Sequence, residues 1–207
     1  MPATNFDSLI LDLADRGLAV LPDLLDPQTL AALAQEARAG WQGGEFHRAG
    51  IGREAEKRAE VRGDHVAWLD PQALSPAQQV YWDFVDQLRL AFNQSLYLGL
   101  VDFEAHFAVY PPGSFYRRHL DSFRAGGPVQ SRRSLSCLLY LNENWLPEHG
   151  GALRVYLADE EGQERHLDLL PEAGTFVVFR SDLLEHEVLV AHRERLSLTG
   201  WLRRPGV

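Results

Sequence analysis

His119-Leu120-Asp121 sets an imidazole and a carboxylate two residues apart, and on an extended segment that spacing sends both side chains to one side. One metal ion could take both. Alone, such a triplet more commonly marks a solvated turn, so a third donor decides. His186 offers it, just beyond an apolar run and the turn Arg180-Ser181-Asp182. Two imidazoles and one carboxylate make a facial triad, which holds iron(II) on one side and leaves positions open for an organic acid and dioxygen. Arg195 opens the run Arg195-Leu196-Ser197-Leu198-Thr199-Gly200-Trp201, which alternates like a half-buried strand. A guanidinium suits bidentate capture of a carboxylate, and a dicarboxylate that chelates iron at one end needs such an anchor at the other. A buried arginine without a partner would be costly. Were the triad absent, Arg195 would read as a surface residue beside Arg193.

These side chains need a rigid frame. Asp26-Pro27 is an N-cap and first-turn pair ahead of Leu30, Leu33, Ala34 and Ala37 at helical spacing. Ser75-Pro76 starts a second helix through Val80, Tyr81, Phe84, Leu88, Ala91 and Phe92, with Gly99 as its stop. Trp41 to Asp70, rich in glycine and charge, reads as one long loop that serves as a lid or binding loop, or is disordered. Short strand-like runs follow at His106–Tyr110, Leu135–Leu141, Ala152–Leu157, Thr175–Phe179 and Leu196–Leu202. Pro111-Pro112-Gly113, Gly126-Gly127-Pro128, Glu148-His149-Gly150-Gly151 and Pro171-Glu172-Ala173-Gly174 separate them at intervals suited to a sandwich or barrel. Helices first and strands second argue for an α+β protein.

The chain has 207 residues, 45% of them hydrophobic and 24% charged, which fits a single compact domain over 1–207. A formal net charge of -9 argues against nucleic-acid binding. Cys137 is the only cysteine, so neither an internal disulfide nor a CxxC pair exists, and its apolar neighbours place it in the core. The N-terminal residues lack the basic start and apolar run of a signal peptide, and no stretch approaches the roughly 18 apolar residues of a membrane span. A cytoplasmic location is the expectation. Of the other histidines, His47, His149, His166 and His192 read as surface residues, His65 as a loop residue within reach of substrate, and His106 as pointing into the barrel.

From Val61 to Trp201 the chain resembles the 2-oxoglutarate oxygenases, and among them the prolyl 4-hydroxylases, especially the oxygen-sensing prolyl hydroxylases and their bacterial relatives. The likeness rests on Val61-Arg62-Gly63-Asp64 with Trp68, Tyr110-Pro111-Pro112-Gly113, and Tyr116-Arg117-Arg118-His119-Leu120-Asp121. It continues through Leu139-Tyr140-Leu141-Asn142 with Trp145, Gly150-Gly151-Ala152-Leu153-Arg154, and His186-Glu187-Val188 with Arg195. The stretch from Ser122 to Gln130 and the end after Trp201 depart from the animal enzymes, which leaves peptide selectivity open.

The resemblance implies a double-stranded β-helix, a cupin-like jelly-roll barrel spanning 101–207, backed by helices in 1–100 with a substrate loop at about 41–70. It implies that His119, Asp121 and His186 bind Fe(II), and that Arg195 grips the far carboxylate of 2-oxoglutarate with help from Tyr140, with Tyr110 and Thr199 lining that pocket. Dioxygen is the co-reactant and ascorbate a supporting reductant. Arg62, Asp64, Arg133, Tyr116 and Trp201 are implied on the substrate side, with Asp64 pairing with Arg133 to tie the loop to the barrel mouth. The implied reaction hydroxylates a prolyl residue of a protein and yields succinate and carbon dioxide, a translation factor such as elongation factor Tu being one candidate acceptor. The partner is then a proline-containing protein or peptide, met by a monomer or weak homodimer. Two alternatives stay open: hydroxylation of a free amino acid or small metabolite, and a non-catalytic cupin-like module that binds or senses a ligand.

Overall fold

Asp26 and Ser75 begin their helices as the sequence predicts. In the computed structural model, which describes residues 6–50, 60–122, 133–159 and 161–205, the helices are α1 (Asp7–Arg16), α2 (Pro27–Gln42) and α3 (Pro76–Leu96). The Asp26 carboxylate accepts from the backbone N–H groups of Gln28 and Thr29, each at 3.0 Å, and Pro27 needs no partner at the first helical position. Ser75 and Gln78 close a reciprocal capping box at 3.1 and 3.3 Å. Helix α3 stops at Leu96, short of the expected Gly99, with Tyr97 in the left-handed region at φ 54°. The cause is Asn93, whose side chain holds both the N–H and the carbonyl of Leu100 at 2.8 Å and turns the chain before the glycine is reached.

The strands are β1 (Leu18–Leu21), β2 (His47–Arg48), β3 (His65–Trp68), β4 (Asp102–Tyr110), β5 (Tyr116–His119), β6 (Arg133–Tyr140), β7 (Leu153–Ala158), β8 (Glu164–Leu169), β9 (Phe176–Arg180), β10 (His186–Val188) and β11 (Arg195–Arg203). A large antiparallel sheet runs β1-β9-β6-β11-β4-β3-β2, and a smaller one runs β5-β10-β7-β8. This is the double-stranded β-helix, its two sheets facing each other. The stretch read as one loop from Trp41 to Asp70 is different: Trp41 and Gln42 belong to the last turn of α2, and β2 and β3 extend the large sheet beyond β4. Strands of two and four residues are too short for an alternation signal, and only their pairing with β4 defines them. The charged run 53–58 and Gly126-Gly127-Pro128 lie outside the described residues.

Alternation along the central strands sorts two chemistries onto two faces. Leu196, Leu198 and Leu202 of β11, with Phe103, Phe107 and Val109 of β4 and Leu135, Cys137 and Leu139 of β6, pack against Leu33, Tyr81, Val85, Leu88 and Phe92 of the helices. The opposite face carries Arg195, Ser197, Thr199 and Trp201, beside Tyr110, Ala108 and His106 on β4 and Tyr140, Leu138 and Ser136 on β6. Leu138, Tyr140, Val177 and Phe179 of that face meet Leu153 and Val155 of the small sheet. The interior is therefore apolar at one end and lined with functional groups along β11.

Gly200 sits mid-β11 on the helix side, with the Phe103 ring across it: a Cβ there would lie 2.6 Å from that ring and 2.5 Å from the Glu104 carbonyl oxygen. Gly200→Ala is expected to cost about 1–3 kcal/mol through overpacking. Thermal unfolding of the metal-free protein should then fall by roughly 2–4 °C per kcal/mol. An alanine variant that melts with the parent would show that the sheet yields at this point.

Candidate active site

Strands β5 and β10 are neighbours in the small sheet, and their register sets His119 directly opposite His186. The two imidazoles lie 4.3 Å apart, centroid to centroid. Asp121, in the bend after β5, turns back between them. Its Oδ1 is 3.4 Å from His119 Nε2 and its Oδ2 is 3.6 Å from His186 Nε2, and one donor atom from each residue falls within 4.8 Å of the others. Hydrogen bonds fix the tautomers. His119 Nδ1–H donates to the Arg117 carbonyl at 2.8 Å and His186 Nδ1–H to the Leu184 carbonyl at 3.2 Å, so both Nε2 lone pairs face inward. Two imidazole nitrogens and a carboxylate thus converge on one point, an arrangement suited to a cation. Burial raises the Asp121 pKa, but His186 and the hydrogen bonds from His119 and Ser136 outweigh it and hold the group well below the usual carboxylate range. Burial pushes the His186 imidazole down to about 4, keeping it neutral and free to ligate at neutral pH. The donor set fits iron(II), with two imidazoles and one carboxylate in place and other positions open.

On the cavity face of the large sheet, where β11 opens, Arg195 is 1% exposed. Its Nε donates to the Gly151 carbonyl at 2.9 Å, its guanidinium carbon lies 4.9 and 5.0 Å from the Tyr110 and Tyr140 rings, and its Nη2 has no hydrogen-bond partner among the described residues. The Tyr140 hydroxyl, also buried beside the Arg195 guanidinium, has no acceptor for its proton among the described residues. Burial raises the Tyr140 pKa more than the Arg195 charge lowers it, so the phenol keeps its proton and is a donor. Two buried donors without an acceptor call for an anion, and a carboxylate supplies both missing bonds. Gly151 is essential to this geometry: at φ +67°, a Cβ would sit 3.1 Å from Arg195 Cδ. Thr199 lies two strand positions farther along the same face, its Oγ1 3.2 Å from Ser197 Oγ.

A sequence model described as the 2OG-Fe(II) oxygenase superfamily matches residues 105–203. The chain is 48% identical to a prolyl-4-hydroxylase from Pseudomonas putida, covering 98% of this chain and 100% of that one, with a TM-score of 0.85. The chain belongs to the 2OG-Fe(II) oxygenase superfamily. Such oxygenases take iron(II), 2-oxoglutarate and dioxygen, the set this cavity is equipped for. A prolyl hydroxylase from Trichoplax adhaerens, solved with a hypoxia inducible factor oxygen degradation domain peptide fragment, is 25% identical with a TM-score of 0.82 over 95% of this chain and 88% of that one. Human Egl nine homolog 1 is 27% identical across 89% of this chain, which spans only 43% of that longer relative.

Around the oxygenase cavity, one expected pairing is replaced by another. Asp64 does not pair with Arg133. Arg62, two residues away, takes its carboxylate through a bidentate contact at 2.7 and 2.6 Å, while Arg133 pairs with Glu104 at 2.9 Å and lies over the Trp201 ring at 3.4 Å. The local pair wins because Val61–Asp64 is already bonded to β5: Gly63 N–H reaches the Phe115 carbonyl and Arg117 N–H the Val61 carbonyl, both at 2.9 Å. Arg62 then stacks on Tyr116 at 4.2 Å, and Tyr116 stacks on His119 at 3.6 Å. His65 faces Trp41 of α2, at 5.0 Å, on the side of the sheet away from the cavity. Two residues that sequence reasoning passed over stand behind the triad: Ser136 bonds Asp121 Oδ2 at 2.6 Å and Ser181 bonds Ser136 at 2.9 Å; the available signal for Ser136 was a serine on the cavity-facing alternation of an otherwise apolar strand.

His106 points into the cavity between Trp68 and Trp201, at 4.8 and 5.5 Å. Burial lowers its pKa from 6.5 to about 4. Below pH 6.5 the unfolded chain takes up a proton that the folded protein refuses, so stability is full above 6.5 and falls as pH drops toward 4. Chemical denaturation of the metal-free protein across this window should show that slope, which His106→Phe should reduce, most clearly above pH 5 where the carboxylates contribute least. An unchanged slope in the variant would mean that His106 is protonated in the fold.

Proposed function

We propose that this oxygenase hydroxylates a prolyl residue in a protein or peptide, with His119, Asp121 and His186 holding Fe(II). Arg195 and Tyr140 bind the distal carboxylate of 2-oxoglutarate, with Tyr110 and Thr199 beside it. The observation that carries the reading is the pair of buried unpartnered donors, Arg195 Nη2 and Tyr140 Oη, on the cavity face that leads to the triad. Iron and 2-oxoglutarate, when bound, supply the activation of dioxygen, with succinate and carbon dioxide as co-products and one oxygen atom entering the acceptor. The chain's own residues orient and enclose. Tyr116 and Trp201 line the cavity, Arg133 braces Trp201, and the Arg62–Asp64 pair fixes the segment that borders it.

The prolyl acceptor is supported by the 48% identity to a prolyl-4-hydroxylase over nearly the whole chain. The acceptor protein is proposed to be cytoplasmic, with a translation factor such as elongation factor Tu one candidate, and the enzyme to act as a monomer or weak homodimer. No described helix is long and apolar enough to cross a membrane. Incubating the iron-loaded protein with 2-oxoglutarate, proline-containing peptides and free amino acids, and measuring one added oxygen atom by mass spectrometry, tests the reading. Oxygen placed on peptidyl proline is expected; oxidation of free metabolites alone would overturn it.

A further inference from the structure

We infer that Ser136 and Ser181 are positioning residues that make Asp121 offer a single oxygen to the metal; the inference rests on the metal site proposed above. Ser136 Oγ lies 2.6 Å from Asp121 Oδ2 and 2.9 Å from Ser181 Oγ. Both serines are 0% exposed. A hydroxyl has one proton to give. Ser136 spends its proton on the carboxylate, which can only accept, so Ser181 must be the donor to Ser136. The bonds therefore run in one direction, from Ser181 through Ser136 to Asp121, each polarising the next.

The main chain supports the same relay. Ser181 N–H donates to the Ser134 carbonyl at 3.0 Å, and the Ser181 carbonyl accepts from Ser122 N–H at 3.1 Å. Ser181 thus holds both the strand that carries Ser136 and the residue that follows Asp121. As core filler the two hydroxyls would be a poor choice, Ser136 on a strand that is otherwise apolar from Leu135 to Leu139, because burying them costs free energy unless each is bonded.

The consequence concerns open positions. Oδ2 accepts from a hydroxyl, which leaves Oδ1, 3.4 Å from His119 Nε2, as the oxygen without a hydroxyl partner and the one turned to the imidazoles. A carboxylate that gave both oxygens would occupy a position that a chelating keto acid and dioxygen require between them. Ser136 keeps that position clear, and its support by Ser181 holds the carboxylate plane in one orientation.

The test is titration of the full metal-free chain with Mn(II), a redox-silent probe, followed by electron paramagnetic resonance, with thermal melting of the same samples before metal is added. Ser136→Ala is expected to weaken Mn(II) binding by about tenfold or more, Ser181→Ala to weaken it less, and Ser136→Thr, which retains the hydroxyl, to restore it. Metal-free melting should change little in Ser181→Ala. A parent that binds no Mn(II) defeats the metal site itself. A parent that binds, with both alanine variants binding equally well, overturns the serine assignment alone. Weakened binding that merely tracks lowered metal-free melting, and that threonine fails to restore, also overturns it, because a structural role would give that result. If Ser136→Ala does not fold, Ser181→Ala decides by whether its Mn(II) affinity falls.

Discussion

Replacing Arg195 with methionine is expected to raise the apparent KM for 2-oxoglutarate by on the order of a hundredfold or more, while kcat at saturating cosubstrate falls much less. Truncating one partner of a buried, hydrogen-bonded charge pair costs about 2–5 kcal/mol, and every 1.4 kcal/mol or so is tenfold in affinity. The upper range applies because Arg195 is 1% exposed and no water competes for its guanidinium. Methionine keeps the length of the stem that packs against Gly151 and loses only the fork. Tyr140→Phe removes one neutral donor and should cost about 0.5–1.5 kcal/mol, a much smaller rise in KM. Lysine at 195 should fall between, since an ammonium restores the charge without the planar fork. Initial rates against 2-oxoglutarate, with binding to the Mn(II)-loaded protein as a second readout, check the order. An Arg195→Met enzyme with the parent's KM would remove the carboxylate clamp from the proposal.

Chemistry and strand periodicity were legible in the sequence to different depths. Arg195 was readable because both the residue type and its place in an alternating run point inward, and β11 carries it there with Thr199 and Trp201 on the same face. The helix starts at Asp26 and Ser75 were readable because caps are local. What escaped was set by tertiary partners. β2 and β3 exist through pairing with β4, helix α3 ends where the Asn93 side chain reaches Leu100, and Asp64 chooses Arg62 because β5 aligns that segment first. Ser136 and Ser181 escaped for a further reason: their role depends on a carboxylate 15 residues from one of them, and no spacing rule links a serine to a ligand in another strand.

Arg62 also joins two parts of the site that the sequence treated as separate. From Asp64 through Arg62 and Tyr116 to His119 every contact is direct, so a disturbance in the segment bordering the cavity reaches a metal ligand in three steps. Loss of turnover in an Asp64 variant would therefore not by itself locate Asp64 at the substrate.

The largest effect on stability is expected from metal binding itself, and Asp121→Ala should abolish it. In the metal-free protein the Asp121 carboxylate, held ionised by its neighbours, faces the Nε2 atoms of two imidazoles, and three donor atoms converge without a cation to hold them. A cation relieves this, and ligand at about 100 times its Kd adds about 2.7 kcal/mol, roughly a 5–10 °C rise in melting temperature for a chain of this size. The alanine variant should show no such rise with Mn(II). Without metal it should melt modestly below the parent, because the depressed Asp121 pKa means that the fold favours the ionised carboxylate, and Ser136 loses its acceptor. His186→Ala should also lose the metal-dependent rise and gain nothing without metal, since it removes a neutral ring packed 4.6 Å from Phe179. Melting curves of the three proteins with and without Mn(II) separate these outcomes. An Asp121→Ala protein that still gains stability from the metal would place the cation elsewhere.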